Sequence, residues 1–277
     1  MDMSDIPLPA ARAYRALDVR GMRAGYRHAG QDCVAEEVPV AFEFNGISHA
    51  VMMATPADLE DFAYGFSLSE GIVETPSQIH DFDYSNSDKG YTLHLGIAAS
   101  CFARLKEKRR NLTGRTGCGL CGTESLDQAV RQPPRLQLEQ WFSAHAIARA
   151  VDDMRAHQLL LAATGATHAA AWCTAQGDIE LIREDVGRHN ALDKLVGALA
   201  REGRPASEGF ITITSRASYE MVQKAASAGV GLLAAVSGVT GLAVEVAYGA
   251  GLTLAGFTRG NDVSVYSHPE RFRMDDQ

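Results

Sequence analysis

The chain has 277 residues, with 26 basic and 34 acidic side chains and a formal net charge of −8. That length can fill one large hydrophobic core or two of ordinary size, and the acidic balance excludes general binding to nucleic acid or to an anionic membrane. Basic side chains gathered in one crevice remain compatible with it.

Residues 1–34 lack a clear period and read as a loosely held tail. Residues 1–9 show no basic stretch followed by an apolar run, so no signal peptide is expected and the protein is placed in the cytoplasm. A hairpin follows. Runs at 38–44 and 47–54 flank Asn45-Gly46, the pair that most readily supplies the positive φ angles of a type I′ turn. A helix comes next, with Thr55 as its cap, Pro56 in its first turn and Asp58 at the positive end of its dipole. Leu59, Phe62, Ala63 and Phe66 share one face of it, and Gly71 stops it. Strands are expected at 79–84 and 91–97, and 104–110 closes another helix.

The texture then changes. Residues 113–123 read TGRTGCGLCGT, a glycine-rich stretch with almost nothing to bury, hence an exposed loop. Pro133-Pro134 marks a second boundary. Beyond it the pattern predicts a helix at 143–157, strands at 168–174 and 179–184 around a Gln176-Gly177-Asp178 turn, and a helix at 190–200. Strands at 210–214, 231–236 and 252–257 then alternate with helices at 217–228 and 240–248. Residues 225–244 carry no charge, but their Gly, Ser and Thr content fits a buried strand and helix better than a membrane span. The alternation indicates a mainly parallel sheet covered by helices. Three parts are therefore expected: a tail (1–34), an α+β domain carrying the hairpin and ending in the cysteine loop (35–135), and a cytidine-deaminase-like α/β domain (136–277). The architectural likeness carries no activity with it.

Five cysteines at irregular spacing fit a reducing compartment. Cys173 sits in an apolar run and reads as core, while Cys33 and Cys101 read as incidental thiols. Cys118 and Cys121 differ. Two thiols separated by two residues can exchange protons and form a disulfide or a mixed sulfur species, and the flanking glycines let a large partner approach. Arg115, with Arg109 and Arg110, would favour the thiolate. Spacing alone also admits half of a zinc site, although no second CxxC or nearby His pair completes it, a thioredoxin-like redox pair, or an inert loop.

Three polar clusters sit where strands end. Residues 183–194 read REDVGRHNALDK, open to reading as a solvated turn, a salt-bridged corner or a ligand contact. Thr214-Ser215-Arg216-Ala217-Ser218 and Phe257-Thr258-Arg259-Gly260-Asn261-Asp262 follow later strands. Arginine forks beside helix N-termini suit phosphate groups, and strand ends line ligand crevices in open α/β sheets. No Walker loop is present, so hydrolysis of a nucleotide is not indicated. Gly165 suits a turn before the strand that begins with His168.

Taken together these motifs resemble the FdhD family, the sulfurtransferases that assist formate dehydrogenases. The resemblance runs from Glu36-Glu37-Val38-Pro39 to Pro269-Glu270-Arg271. It includes Asn45-Gly46, Thr55-Pro56-Ala57-Asp58-Leu59, Gly65-Phe66, Ser69-Glu70-Gly71, the CGLCG loop, residues 183–194, Arg216-Ala217-Ser218-Tyr219-Glu220-Met221 and Gly256-Phe257-Thr258-Arg259. It implies an enzyme acting through a cysteine persulfide. Such an enzyme takes sulfur from a cysteine desulfurase and passes it to the molybdenum or tungsten bis(guanine dinucleotide) cofactor, bound as substrate, before that cofactor enters formate dehydrogenase. The persulfide cysteine of the family matches Cys118, with Cys121 assisting; its cofactor-binding stretch matches residues 257–262. Arg183, Arg188, Arg216 and Arg259 are the expected cations of the crevice. The family is cytoplasmic and tends to form homodimers, and no resident metal is expected. A thiol–disulfide oxidoreductase or a non-catalytic cofactor chaperone is the alternative. A deaminase-type zinc hydrolase would need a Pro-Cys-x-x-Cys that the residues after 160 lack. The chain departs from the family in Arg115-Thr116-Gly117 before the first cysteine, in Ser215 where a glycine is usual, and in Ser237-Gly238-Val239-Thr240 in place of Ser-Ala-Pro-Thr.

Overall fold

A computed structural model describes residues 13–113, 132–137, 140–260 and 262–274. The cysteine loop with Cys118 and Cys121, and Asn261, lie outside the described residues.

The stretch read as a tail contains two ten-residue strands, β1 (Tyr14–Arg23) and β2 (Tyr26–Ala35), in one antiparallel ribbon. Its turn is Ala24-Gly25, both at positive φ. Alternation was too weak there to announce strands, because one face is scarcely more apolar than the other.

The hairpin forms as its sequence requires. Strands β3 (Val38–Phe44) and β4 (Ile47–Ala54) meet at Asn45 (φ 48°) and Gly46 (φ 79°). The Asn45 side chain also ties in a third strand, accepting from Ile97 N–H at 2.7 Å and donating to Ile97 C=O at 3.0 Å. That strand is β6 (Gly90–Ile97), which lies between β3 and β5 (Ile79–Ser87) in the order β4-β3-β6-β5. Phe42, Phe44, Leu93 and Leu95 point from its inner face onto Phe62 and Phe66 of α1 (Leu59–Ser69), and α2 (Ala99–Thr113) adds Cys101 and Leu105.

The second sheet has six strands in the order β13-β12-β11-β10-β8-β9. They are β8 (His168–Thr174), β9 (Ile179–Asp185), β10 (Gly209–Ile213), β11 (Leu232–Ala235), β12 (Thr253–Arg259) and β13 (Asp262–Ser267). The sheet is mixed, a correction to the mainly parallel expectation. Among the described residues the parallel pairs are β10–β11 and β11–β12; β9 shares their direction but pairs with antiparallel β8, and β13 folds back on β12. Helices α5 (Arg188–Arg201), α6 (Tyr219–Ser227) and α7 (Gly241–Ala250) share one apolar cluster with the sheet. On the other face Ile147, Ala150 and Met154 of α3 (Ala144–His157) pack with Phe210, Leu232 and Ala234. A short helix α4 (Leu159–Thr164) links α3 to β8, and a small pair joins β7 (Phe142–Ser143) to β14 (Phe272–Arg273). The uncharged stretch 225–244 covers the end of α6, β11 and the start of α7. Among the described residues no helix is long and apolar enough to cross a membrane.

The two sheets are joined by α1 lying on α5. A Cβ on Gly65 would sit 1.6 Å from Asp193 C=O, and one on Gly197 would sit 1.8 Å from Asp61 C=O. The backbones touch at these two positions, so glycine is required at both.

Candidate functional site

Strand direction gathers three of the polar clusters on one edge of the second sheet. β8 runs antiparallel to β10, and β9 antiparallel to β8, so β9 ends on the same edge as β10, β11 and β12. That edge carries His168, Arg188 and His189, Thr214 to Arg216, Ser237 to Thr240, and Phe257 to Arg259.

Backbone hydrogen bonds extend the ladder past the strand ends and fix these loops. Val236 donates to Ile213 C=O, Phe257 to Ser237 C=O, Ala217 to Gly238 C=O and Thr240 to Ala217 C=O, all at 3.0–3.1 Å. Thr258 is fully buried, and its hydroxyl donates to Ala235 C=O at 2.9 Å. Its neighbours therefore point outward. Phe257 holds φ at 53°, a conformation costly for an aromatic residue, and leaves its ring 55% exposed. The ring lies over Gly238, where a Cβ would approach it to 3.1 Å. The departure from the family at 238 thus makes room for this ring. Ser215, the other departure, is buried and donates to Arg216 C=O at 3.1 Å.

Arg216 and Arg259 are exposed on this edge, and Arg188 is half-buried. Asp262 opposes Arg259 across the β12–β13 turn through Gly260 (φ 55°). Ser218 precedes α6, and its hydroxyl is buried without a hydrogen-bond partner among the described residues. Thr214 accepts from Ala169 N–H at 3.0 Å and lies 3.5 Å from His168 Nδ1. Burial, then the cation of Arg188, holds His168 below the ordinary histidine pKa against the opposing pull of Asp185. Burial also lowers His189 and outweighs Glu220, whose Oε2 lies 2.8 Å from its Nε2 in a contact too poorly aligned to be a hydrogen bond.

Most of the cluster 183–194 serves another purpose. Arg183, expected at the ligand crevice, points instead to α1, where its guanidinium meets Asp61 at 2.7–2.8 Å. Glu184 caps α4, accepting from Leu160 and Leu161 N–H at 2.8 Å each. Asp185 and Lys194 form a fully buried ion pair at 2.7 Å. Asp185 also accepts from Thr55 N–H (3.0 Å), Gly187 N–H (2.7 Å) and Asn190 Nδ2 (3.0 Å). Lys194 donates to Thr55 C=O at 2.9 Å, and the Thr55 hydroxyl accepts from Val186 N–H at 3.2 Å. Thr55 is therefore the buried point at which the first sheet is clamped to the second. It is not the cap of α1, which begins after Asp58 without a side-chain cap.

A second knot lies one turn along. Lys224 donates to Asp193 (2.9 and 3.0 Å), Glu70 (2.9 Å) and Ser69 (3.0 Å), and the Ser69 hydroxyl reaches Asp193 at 2.6 Å. Burial lowers the Lys224 pKa, but the carboxylates of Asp193 and Glu70 outweigh it and hold it above the usual lysine value. Reading the sequence alone missed Asp61, Ser69 and Lys224 as partners, since each lies more than 30 residues from the group it contacts. Cys173 is core, its thiol pushed up by burial to about 12, and Cys101 is buried as well.

With this geometry in hand, the comparisons with known proteins are decisive. The FdhD/NarQ family model matches residues 35–273. The chain belongs to the FdhD/NarQ family. It is 56% identical over 271 residues to the sulfur carrier protein FdhD of Variovorax paradoxus, covering 98% of this chain and 97% of that one. It is 55% identical over 251 residues to the protein of that name from Cupriavidus necator, covering 91% and 87%. The crystal structure of a putative formate dehydrogenase accessory protein from Desulfotalea psychrophila superposes with a TM-score of 0.72 at 22% identity, over 94% of this chain and all of that one. That likeness is one of fold.

Proposed function

We propose that this protein is a sulfur carrier for formate dehydrogenase maturation, loading sulfur on Cys118 and delivering it to a molybdenum or tungsten bis(guanine dinucleotide) cofactor held at the strand-end edge. The observation that carries this reading is the near-full-length identity to proteins named as sulfur carriers; the exposed guanidinium groups of Arg216 and Arg259 on one strand-end edge support the nucleotide part of it. The Cys118 thiolate would attack the outer sulfur of a donor cysteine desulfurase persulfide. The donor leaves as a thiolate, and Cys118 carries the persulfide. Attack by Cys121 on the Cys118 sulfur would then expel the outer sulfur as hydrosulfide and leave a disulfide, which a dithiol reductant must reopen.

At the edge, Arg188, Arg216 and Arg259 supply guanidinium forks for the phosphates. The Ser218 hydroxyl, without a partner among the described residues at the start of α6, offers one more donor. Phe257 presents a ring on which a guanine can stack. Thr258 and Gly260 shape the turn between these groups, and Asn261 and Asp262 complete the expected stretch. Arg183 is not included among the ligand contacts, because Asp61 holds it. The order of α3, α4, β8, β9, α5, β10, α6, β11, α7 and β12, with α4 a short extra helix, supports the cytidine-deaminase-like comparison for this half of the chain. A cytoplasmic homodimer is the expected state.

The test is intact mass after incubation with a cysteine desulfurase and cysteine. A gain of one sulfur, removed by reductant and lost in Cys118→Ala, is expected. Folded protein that gains none beside an active desulfurase points to a thiol–disulfide oxidoreductase or a cofactor chaperone.

A further inference from the structure

All of the β1–β2 ribbon but Ala35 lies outside the residues that the family model matches, and among the described residues it pairs with no other strand. An isolated two-stranded ribbon is at best marginally stable in water, and an open edge is a place for a further strand. β2 rests on α4, and its last three residues, Cys33, Val34 and Ala35, are half-buried. In β1, residues 15–18 and 20–22 are all exposed, and every second residue turns its N–H and C=O away from β2.

The tip of the ribbon is basic. Residues 19–30 hold three arginines, one histidine and no carboxylate, in a chain whose net charge is −8. Elsewhere on the ribbon the charged groups have partners: Arg15 meets Glu36 at 3.2 Å, Asp18 accepts from Gln31 at 3.3 Å and Asp32 from Cys33 N–H at 3.0 Å. Among the described residues no acid pairs with Arg20 or Arg27. The register sets both beside one apolar side chain. Met22, 71% exposed, stands opposite Arg27 and two residues from Arg20 on the same face. With Gly21, His28 and Ala29 these three line an open concavity of about 520 Å³. Tyr26, beside the turn, is 78% exposed. Arginine, methionine and tyrosine are side chains that concentrate where proteins touch one another.

We infer that the free edge of β1, with the cations of the tip, takes up an extended acidic segment of a partner protein as a third strand. A carboxylate beside Arg20, an apolar side chain over Met22 and a second carboxylate in reach of Arg27 fit one face of that segment. A nucleic acid or an anionic bilayer answers the charge of the tip but not the row of backbone donors and acceptors along β1, and the acidic remainder of the chain repels both. A polypeptide with alternating acidic and apolar residues answers charge and backbone together. The third strand also supplies the support that two strands alone lack. The inference does not rest on the sulfur chemistry.

The probe is a fluorescein-labelled peptide with threonine at every second position and glutamate and valine alternating between them, titrated with the full chain and read by anisotropy. Binding is expected, weaker as salt rises. The same peptide with lysine for glutamate should not bind. Methylated on every backbone nitrogen, the acidic peptide keeps its charge and loses its donors, and its affinity should fall by about tenfold or more. Arg20→Glu combined with Arg27→Glu should weaken binding by a similar factor, with circular dichroism and sedimentation equilibrium as in wild type. No binding of the acidic peptide, equal binding of the methylated or the lysine peptide, or full binding by the double variant would each overturn the inference. So would binding of phosphatidylserine vesicles or of a single-stranded oligonucleotide that the double variant loses, or a changed oligomeric state in that variant, since each gives the tip to another occupant. Both peptide controls use wild-type protein, so the outcome does not depend on the folding of the variant.

Discussion

Lys194→Met isolates the contribution of the buried clamp. Methionine nearly matches the volume of the lysine stem, so the change removes an ammonium from a site with no solvent exposure. Asp185 is left buried with three neutral donors, Thr55 N–H, Gly187 N–H and the Asn190 amide, and no countercharge. Breaking a buried ion pair from one side costs about 3–5 kcal/mol. The three surviving donors place this case near the lower end, about 3 kcal/mol, against a total stability of roughly 5–15 kcal/mol for a protein of this kind. In a chain of this size that corresponds to a fall in Tm of about 6–12 °C. Urea unfolding followed by the fluorescence of buried Trp172 measures the loss. Asp185→Asn added to Lys194→Met removes the stranded charge and should recover a large part of it. A loss below about 1 kcal/mol in Lys194→Met, or no recovery in the double variant, would refute the view that an ion pair holds the two sheets together.

Gly65→Ala drives a methyl to within 1.6 Å of Asp193 C=O and forces α1 off α5. Overpacking of a rigid contact costs about 1–3 kcal/mol or more, so thermal unfolding should drop clearly; an unchanged midpoint contradicts the backbone contact. Acid should weaken the fold as well. His168 and His189 are both held below the usual histidine value in the folded state, so between their folded pKa values and about 6.5 the unfolded chain binds more protons. Stability from this source is complete above that window and is lost as pH falls through it. The urea midpoint should be lower at pH 5.5 than at 7.5, and His168→Asn with His189→Gln should flatten the change; an equal fall in that double variant sinks the assignment.

Local signals were legible wherever a single segment settles its own structure. The Asn45-Gly46 turn, the α3 start at Ser143, whose hydroxyl accepts from Ala146 N–H, and the α7 start at Thr240, which accepts from Ala243 N–H, all follow from residues a few positions apart. The strand-end edge was legible too, since strand ends in an α/β alternation fall on a common side. Thr55 was misread because its capping chemistry is generic: the same hydroxyl that caps a helix can accept from a backbone N–H 131 residues away. The sheet is less parallel than expected because β13, which folds back on β12, was not read as a strand, whereas the turn at Gln176-Gly177-Asp178 had announced the β8–β9 hairpin.

The polar density at 183–194 shows why such a cluster resists assignment from composition. Helix α5 places Asn190, Asp193, Lys194, Gly197 and Arg201 at spacings that keep them on one stripe, where Asn190 and Lys194 meet Met53, Thr55 and Asp185 and the other three meet α1, while Leu192, Leu195, Val196 and Leu199 face the sheet. Opposite that stripe, Asp61, Gly65 and Ser69 recur at intervals of four on α1. Arg201 meets Asp61, Asp193 meets Ser69, and the glycines lie between them. Only Arg188 and His189, in the first turn, stay at the edge. One short motif thus fixes the position of the helix whose first turn it leaves at the strand-end edge. Loss of Lys194 should therefore reduce both stability and nucleotide binding. Arg259→Ala, at the exposed end of β12, should weaken binding of guanosine diphosphate used as a probe and leave the urea midpoint within about 0.5 kcal/mol of wild type. Calorimetric titration and unfolding measured on the same two variants separate the roles. Equal loss of stability in both would mean that the edge and the clamp are one structural unit.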